Sequence, residues 1–212
     1  MKCLIIGGSG GIGKKLTAEI TDLYGWNVTE TSSKDLDVTQ SDKVQSFFDA
    51  NEFDVVVLLS AKNKNSFCHK LNDSLIQEQV NVNVVGAANV ACASLKMMRK
   101  RGFGRLIMAS SILSEKTVIG TAIYSASKSF VETLCRVAAV ENSNSDITVN
   151  SLRLGYFDAG LTHEIPDEIA SQIKSDIPKK KWGNVKEIAS MIKTLVDSSY
   201  ITGSVIKIAG GL

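Results

Sequence analysis

Apolar residues fall along this chain in two alternating rhythms. Short unbroken runs, KCLII at 2–6, FDVVVLL at 53–59 and GRLIMA at 104–109, show no polar face. That pattern belongs to strands of a parallel sheet covered on both sides. Asn27 to Thr31, Asp146 to Leu152 and Gly203 to Ile208 read as three further strands. Between them apolar residues recur at helical spacing. Leu16, Ile20 and Leu23 define a helix that stops at Gly25, and Ser41 caps a second that ends near Asn51. A long helix is predicted over about Leu75 to Arg101. Another carries Tyr124 and has Phe130, Val131, Leu134, Val137 and Ala138 on its apolar stripe, and a last one runs from Val185 to Val196. Strands and helices taking turns predict an α/β fold, a Rossmann-type doubly wound parallel sheet in a single domain over residues 1–212. Residues 156–183 hold both prolines, Pro166 and Pro178, and show no period.

Composition narrows the function classes. Hydrophobic residues make up 44% and charged residues 22% of the chain, as in an ordinary globular domain. A net charge of +2 gives no reason to expect nucleic acid as a partner, and the runs 99–101 and 179–181 read as solvated helix ends or loops. No apolar run approaches a membrane span. The first strand opens at residue 2, which leaves no room for a signal peptide. Four widely spaced cysteines, Cys3, Cys68, Cys92 and Cys135, with no CxxC, argue against disulfides and a zinc site. A reducing, cytoplasmic setting is expected, and no metal.

Two stretches carry chemistry. The first is Ile6-Gly7-Gly8-Ser9-Gly10-Gly11-Ile12-Gly13, between the first strand and the first helix. Glycine permits a tight turn and close approach of a ligand, and the helix N-terminus offers free N–H groups to a pyrophosphate. The run fits G-x3-G-x-G (Gly7, Gly11, Gly13) and also G-x2-G-x2-G (Gly7, Gly10, Gly13). The second stretch runs from Ser111 to Lys128. Tyr124 and Lys128 are four apart on a helix and can point into one site. An ammonium beside a phenol favours phenolate and is expected to lower its pKa, which suits a general acid or base. Ser111, at the end of a buried strand, can hold the same substrate oxygen.

Together these motifs resemble the short-chain dehydrogenase/reductase family, in its single-domain branch. Tyr124-Ser125-Ala126-Ser127-Lys128 resembles the family's Y-x3-K, and Asn83-Val84-Val85-Gly86 its N-x-x-G. The strand 104–111 resembles the one that ends in the catalytic serine. Val149 to Gly155 resembles V-N-x-x-x-P-G, and 200–203 with 209–211 the closing Y-I-T-G and D-G-G. The resemblance spans nearly the whole chain, in order. It departs at Leu58-Leu59-Ser60-Ala61, where the family has N-N-A-G, at Leu154 for proline, at Ala159 for a threonine, and at Ile6 for the opening threonine.

The resemblance implies reversible, NAD(P)-dependent reduction of a carbonyl. Tyr124 is the implied acid and Lys128 lowers its pKa and bonds the nicotinamide ribose. Ser111 holds the carbonyl oxygen, with Ser110 as the alternative contact, and Asn83 holds a water that links Lys128 to solvent. Implied cofactor contacts fall on Gly7, Ser9, Gly10, Gly11, Ile12 and Gly13, on Ser60 and Ala61, on Gly155 and Phe157, and on Tyr124 and Lys128. At the end of the second strand Ser32, Ser33 and Lys34 stand where an NAD site has an acidic residue, with Asp37 and Val38 at the adenine edge. Two hydroxyls and an ammonium suit a 2′-phosphate, so NADP(H) is favoured over NAD(H). Residues about 156–183 become the substrate lid, mobile without ligand, and flanking His163 and Trp182 read as packing or surface residues. A homotetramer or homodimer is expected, because Val80, Val84, Ala88, Cys92 and Leu95 form one helix stripe and Val82, Ala87 and Ala91 a second. Two other classes stay open: a dinucleotide-binding sensor or scaffold without turnover, and a nucleotide-sugar epimerase or dehydratase. Against the last, only 57 residues follow Gly155, too few for a second domain.

Overall fold

The apolar runs become the centre of a six-stranded, all-parallel sheet in the order β2-β1-β3-β4-β5-β6. The computed structural model describes residues 1–160, 162 and 166–212. β1 (Lys2–Ile6), β3 (Val55–Leu58) and β4 (Phe103–Ser111) are buried along nearly their whole length. β2 (Asn27–Thr31) is an edge strand and mostly exposed, β5 (Asp146–Leu154) is buried, and β6 (Val205–Ile208) closes the other edge.

Alternation along each strand divides the core into two layers. Ile5, Val55, Val57 and Ile107 face α1 (Gly11–Tyr24) and α7 (Val185–Asp197) through Leu16, Ile20, Ile188 and Ile192. Leu4, Ile6, Val56 and Leu106 face the opposite layer. It contains α2 (Ser41–Ala50), α4 (Gly86–Arg101) and α5 (Ala122–Glu141), through Phe48, Val90, Met98 and Val131. The chain leaves β1 toward β2 on one side and returns to β3 on the other, so a crevice opens at the carboxyl ends of β1 and β3. Every site candidate but Asn83 and those on α5 lies on that edge or in the loops leaving it.

Several expectations change in detail. The predicted helix over 75–101 is two, α3 (Asp73–Val80) and α4, joined by a single wide π-turn over Asn81–Val85. Ser41 is the first residue of α2 and not its cap; the capping position is Gln40, whose side chain makes no capping bond. Within the segment read as aperiodic lies α6 (Asp167–Asp176), a helix with no buried residue. Val137, expected on the apolar stripe of α5, is 50% exposed, and Val140 is 75% exposed. His163 lies outside the described residues.

Candidate active site

Three elements deliver the chemistry-bearing side chains to one place. β4 ends at Ser111 and a single 3-10 turn, Ile112–Ser114, carries the chain away. α5 places Tyr124 and Lys128 on the face turned toward β4. The Tyr124 phenol is close enough to Ser111 for the serine to favour its ionised form. Lys128 is 4% exposed, and its Nζ donates to the Ala109 carbonyl at 2.8 Å while lying 5.6 Å from the centre of the Tyr124 ring. Direction distinguishes the two serines: Ser110 turns away and donates to Glu132 Oε1 at 2.7 Å.

Asn83 comes from the π-turn. A widened turn rotates one side chain out of the regular helix register, and such turns recur at functional sites. Here the Asn83 carboxamide grips the main chain of residue 62 from both ends. Its Oδ1 accepts from the Lys62 N–H and its Nδ2 donates to the Lys62 carbonyl, both at 2.7 Å. Nδ2 also donates to Ser127 Oγ at 3.1 Å, next to Lys128 in the chain. Asn83 thereby ties the loop after β3 to α5.

The pKa expectation for Tyr124 is overturned in the ligand-free chain. Burial raises the phenol above its ordinary value of 10.0, and the neighbouring Ser111 only partly opposes it. The ammonium expected to lower it is bonded to a main-chain carbonyl and sits over the ring, not at the phenol oxygen. Burial also lowers Lys128, from 10.5 to about 8. A base whose pKa is depressed on folding binds fewer protons in the native state, so Lys128 adds stability as pH rises from about 8 toward its ordinary value. For the reaction the sign is opposite, because the charged form is the useful one. Tyr124 stays protonated through this range. The kcat/KM for reduction is therefore expected to be flat from about pH 6 to 7.5 and to fall above about pH 8 as Lys128 discharges. Lys128→Arg, which keeps its charge, should move that limb upward; a flat profile to about pH 10 in the wild type would refute the assignment.

A dinucleotide fits the crevice beside these residues. Gly7 has φ +87°, and a Cβ there would stand 2.7 Å from the Ser60 N, so only glycine allows β1 and β3 to end this close together. The N–H groups of Gly7 and Gly8 both donate to the Thr31 carbonyl at 3.0 Å, which fixes the loop against β2. Gly10, the N-cap of α1, makes no side-chain cap bond, and the first turn carries no acidic residue, so the helix end suits an anion. Ser60 Oγ and Thr31 Oγ1 are buried with no partner among the described residues, as are three other side-chain atoms away from the loop. Ser9 lies in the same loop, Gly11 and Ile12 open α1, and Ala61 follows Ser60 at the exposed rim.

At the far end, Ser32 is engaged within its own turn. Its N–H and hydroxyl both donate to Asp35 Oδ2, at 2.9 and 2.6 Å, while Ser33 and Lys34 are exposed. Asp35 is a residue that the motifs miss. Its signal in the sequence is the Ser-x-x-Asp spacing of a hydrogen-bonded turn. Asp37 is held by Thr39 and Gln40, and Val38 packs under Gly86. Phe157 departs from expectation: its side chain is 2% exposed within the α1–α7 core, and its main chain pairs with Gly183. Gly155 packs against Ala209, and the Ala159–Gly160 turn lies against Gly11. Trp182 packs on Tyr156 at a ring separation of 5.9 Å, a packing residue as expected.

Comparisons with known proteins agree with this arrangement. The family model described as enoyl-(acyl carrier protein) reductase matches residues 11–212. The 3-oxoacyl-[acyl-carrier-protein] reductase MabA of Mycobacterium bovis is 30% identical over 99% of this chain and 91% of its own length. An acetoacetyl-CoA reductase of Shinella zoogloeoides is 31% identical over 89% of this chain and 78% of its own. The solved structure of ElxO with NADP bound superposes with a TM-score of 0.88 at 24% identity, covering 99% of this chain and 97% of that one. The family expected from the motifs is thus established over almost the full length: the chain is a member of the short-chain dehydrogenase/reductase family of oxidoreductases.

Proposed function

We propose that the protein is an NADP(H)-dependent carbonyl reductase that uses Tyr124 as its general acid. One observation carries the reading. A phenol with its ring centre 5.6 Å from a buried ammonium, and with Ser111 at the end of β4 beside it, sits at the carboxyl edge of the sheet next to a glycine loop with an uncapped helix end. When bound, a nicotinamide supplies the hydride. Ser111 orients the substrate oxygen and Tyr124 gives it a proton. Lys128, charged at neutral pH, stabilises the phenolate left behind. Asn83 keeps the loop around Lys62 in place against Ser127, next to Lys128 in the chain.

The relatives named above are reductases of 3-oxoacyl and acetoacetyl thioesters, so a 3-oxoacyl thioester is the first substrate to try. NADPH over NADH rests on charge. Ser32, Ser33 and Lys34 occupy the end of β2, and ElxO, of the same fold, was solved with NADP. Ser32 must release Asp35 to reach a phosphate, which leaves Lys34 as the source of positive charge. Fluorescence titration is expected to show tighter binding of NADPH than NADH, and Ser32→Asp to reverse the order by roughly 10-fold or more. A wild type that prefers NADH contradicts this reading.

Residues 156–183 serve as the lid in this proposal. α6 buries nothing of its own, so it can order on a ligand. The chain also pairs with copies of itself as a dimer or tetramer. Of the two stripes read from the sequence, Ala87 and Ala91 face the sheet, whereas Cys92 on the other stripe is exposed, as are Val137 and Val140 of α5. Light scattering at micromolar concentration should give a multiple of 22.8 kDa; a stable monomer argues against pairing. No helix among the described residues is long and apolar enough to cross a membrane. A reducing cytoplasm suits four free thiols, two of which burial pushes up to about 12.

A further inference from the structure

Glu132 is a carboxylate that neither the hydride-transfer scheme nor the family motifs used above employ, yet it is only 5% exposed. It stands four residues beyond Lys128 and eight beyond Tyr124, on the same face of α5. Four bonds converge on it. Ser110 Oγ donates at 2.7 Å and Ser114 Oγ at 2.6 Å to Oε1. Arg153 donates from Nε at 2.9 Å to Oε1 and from Nη2 at 2.8 Å to Oε2. This is the two-pronged guanidinium–carboxylate geometry, which fixes direction as well as distance.

Each partner belongs to a segment that holds part of the site. Ser110 immediately precedes Ser111. Ser114 closes the turn after it and also donates to the Ser111 carbonyl at 2.7 Å. Arg153 lies at the end of β5, whose Leu154 pairs in register with Ser111, two residues before Gly155 and the lid that follows it. The outer face of Arg153 bonds Glu115, which Lys207 approaches at 3.5 Å. A single carboxylate therefore joins the two ends of the Ser111 turn, the approach to the lid and the helix that carries Tyr124 and Lys128.

We propose that Glu132 and Arg153 are a positioning pair that holds the turn carrying Ser111 in register with the helix carrying Tyr124. The inference rests on the reading of Ser111 and Tyr124 as reacting groups. A buried pair of this kind adds little net stability compared with apolar side chains of the same volume. Its value lies in direction, since a displacement of about 1 Å at a reacting group can cost on the order of 10²-fold in rate.

The test separates position from stability. Wild type, Tyr124→Phe, Glu132→Gln and the double variant Glu132→Met/Arg153→Met are compared for Tm, NADPH dissociation constant, KM and kcat with an acetoacetyl thioester. Glu132→Gln sets an amide N–H against Arg153 and is expected to lower kcat by roughly 10- to 100-fold, with the NADPH dissociation constant within about twofold. In the double variant the apolar pair restores Tm but leaves Ser110 and Ser114 without their acceptor, so kcat stays low. Recovery of kcat together with Tm in the double variant shows a structural role and overturns the proposal, as does wild-type kcat in Glu132→Gln. Should Glu132→Gln fail to fold, Ser114→Ala removes one bond and reads the same kcat; an unchanged value there overturns the proposal too. If wild type is inactive, or Tyr124→Phe stays active, the catalytic reading fails first; if both behave as expected and the Glu132 variants keep kcat, only the positioning role fails.

Discussion

Tyr124→Phe should bind NADPH as the wild type does and reduce carbonyls at least about 10³-fold more slowly. The half-buried ring stays in place on α5; only the hydroxyl beside Ser111 is lost. General acid catalysis by a positioned group contributes roughly 10²- to 10⁴-fold. Ser111 Oγ accepts from the Leu113 N–H at 3.2 Å, so the turn holds its shape without the phenol. Cofactor affinity measured by fluorescence and turnover measured as NADPH loss should therefore separate cleanly. Turnover within tenfold of wild type would remove Tyr124 from the mechanism.

The second large effect lies in the glycine loop. A Cβ on Gly13 would stand 2.4 Å from the Gly7 carbonyl oxygen, 2.6 Å from Gly8 Cα and 2.7 Å from the Gly8 oxygen. All three are backbone atoms and none can step aside without reshaping the loop. Gly13→Ala is thus expected to destabilise the fold by about 1–3 kcal/mol. For a chain of this size that is roughly 2–12 °C in Tm. It should weaken NADPH binding by about 10²-fold or more. Gly10 offers the control. Its φ is −72° and a methyl group there would find its nearest neighbour 3.4 Å away, so Gly10→Ala should bind within about threefold of wild type. Calorimetry and fluorescence titration of the two variants check the pair; normal binding by Gly13→Ala contradicts the assignment of the loop.

Most of the fold is legible in local signals. Unbroken apolar runs mark the central strands, and the breaks at Gly25 and Asn51 mark helix ends, because burial and backbone freedom act over a few residues at a time. Tyr124 and Lys128 are legible for the same reason, being one helical turn apart. What stays hidden depends on distance in the chain. The π-turn at Asn81–Val85 reads as ordinary helix, since the Lys62 main chain that rewards it lies 21 residues from Asn83. Glu132 and Arg153 are likewise 21 apart and join two different elements. Neither has a sequence pattern of its own. Y-x3-K misleads on the Tyr124 pKa because it displays charge proximity, whereas burial and the competing Ala109 carbonyl leave no mark in it. Phe157 looks like a crevice residue from its place after Gly155, yet the backbone turns its ring into the core.

The central claim is that this site moves a hydride from NADPH to a carbonyl carbon. The most direct measurement is transfer of deuterium from NADPH carrying deuterium at both hydrogens of the nicotinamide C4, followed by mass spectrometry of the alcohol formed from an acetoacetyl thioester. The account predicts one deuterium per product molecule with wild type, and with Tyr124→Phe labelled product formed at least about 10³-fold more slowly. Tight NADPH binding with no labelled product from that thioester or from a panel of other carbonyls would contradict it, and would leave a dinucleotide-binding module without turnover.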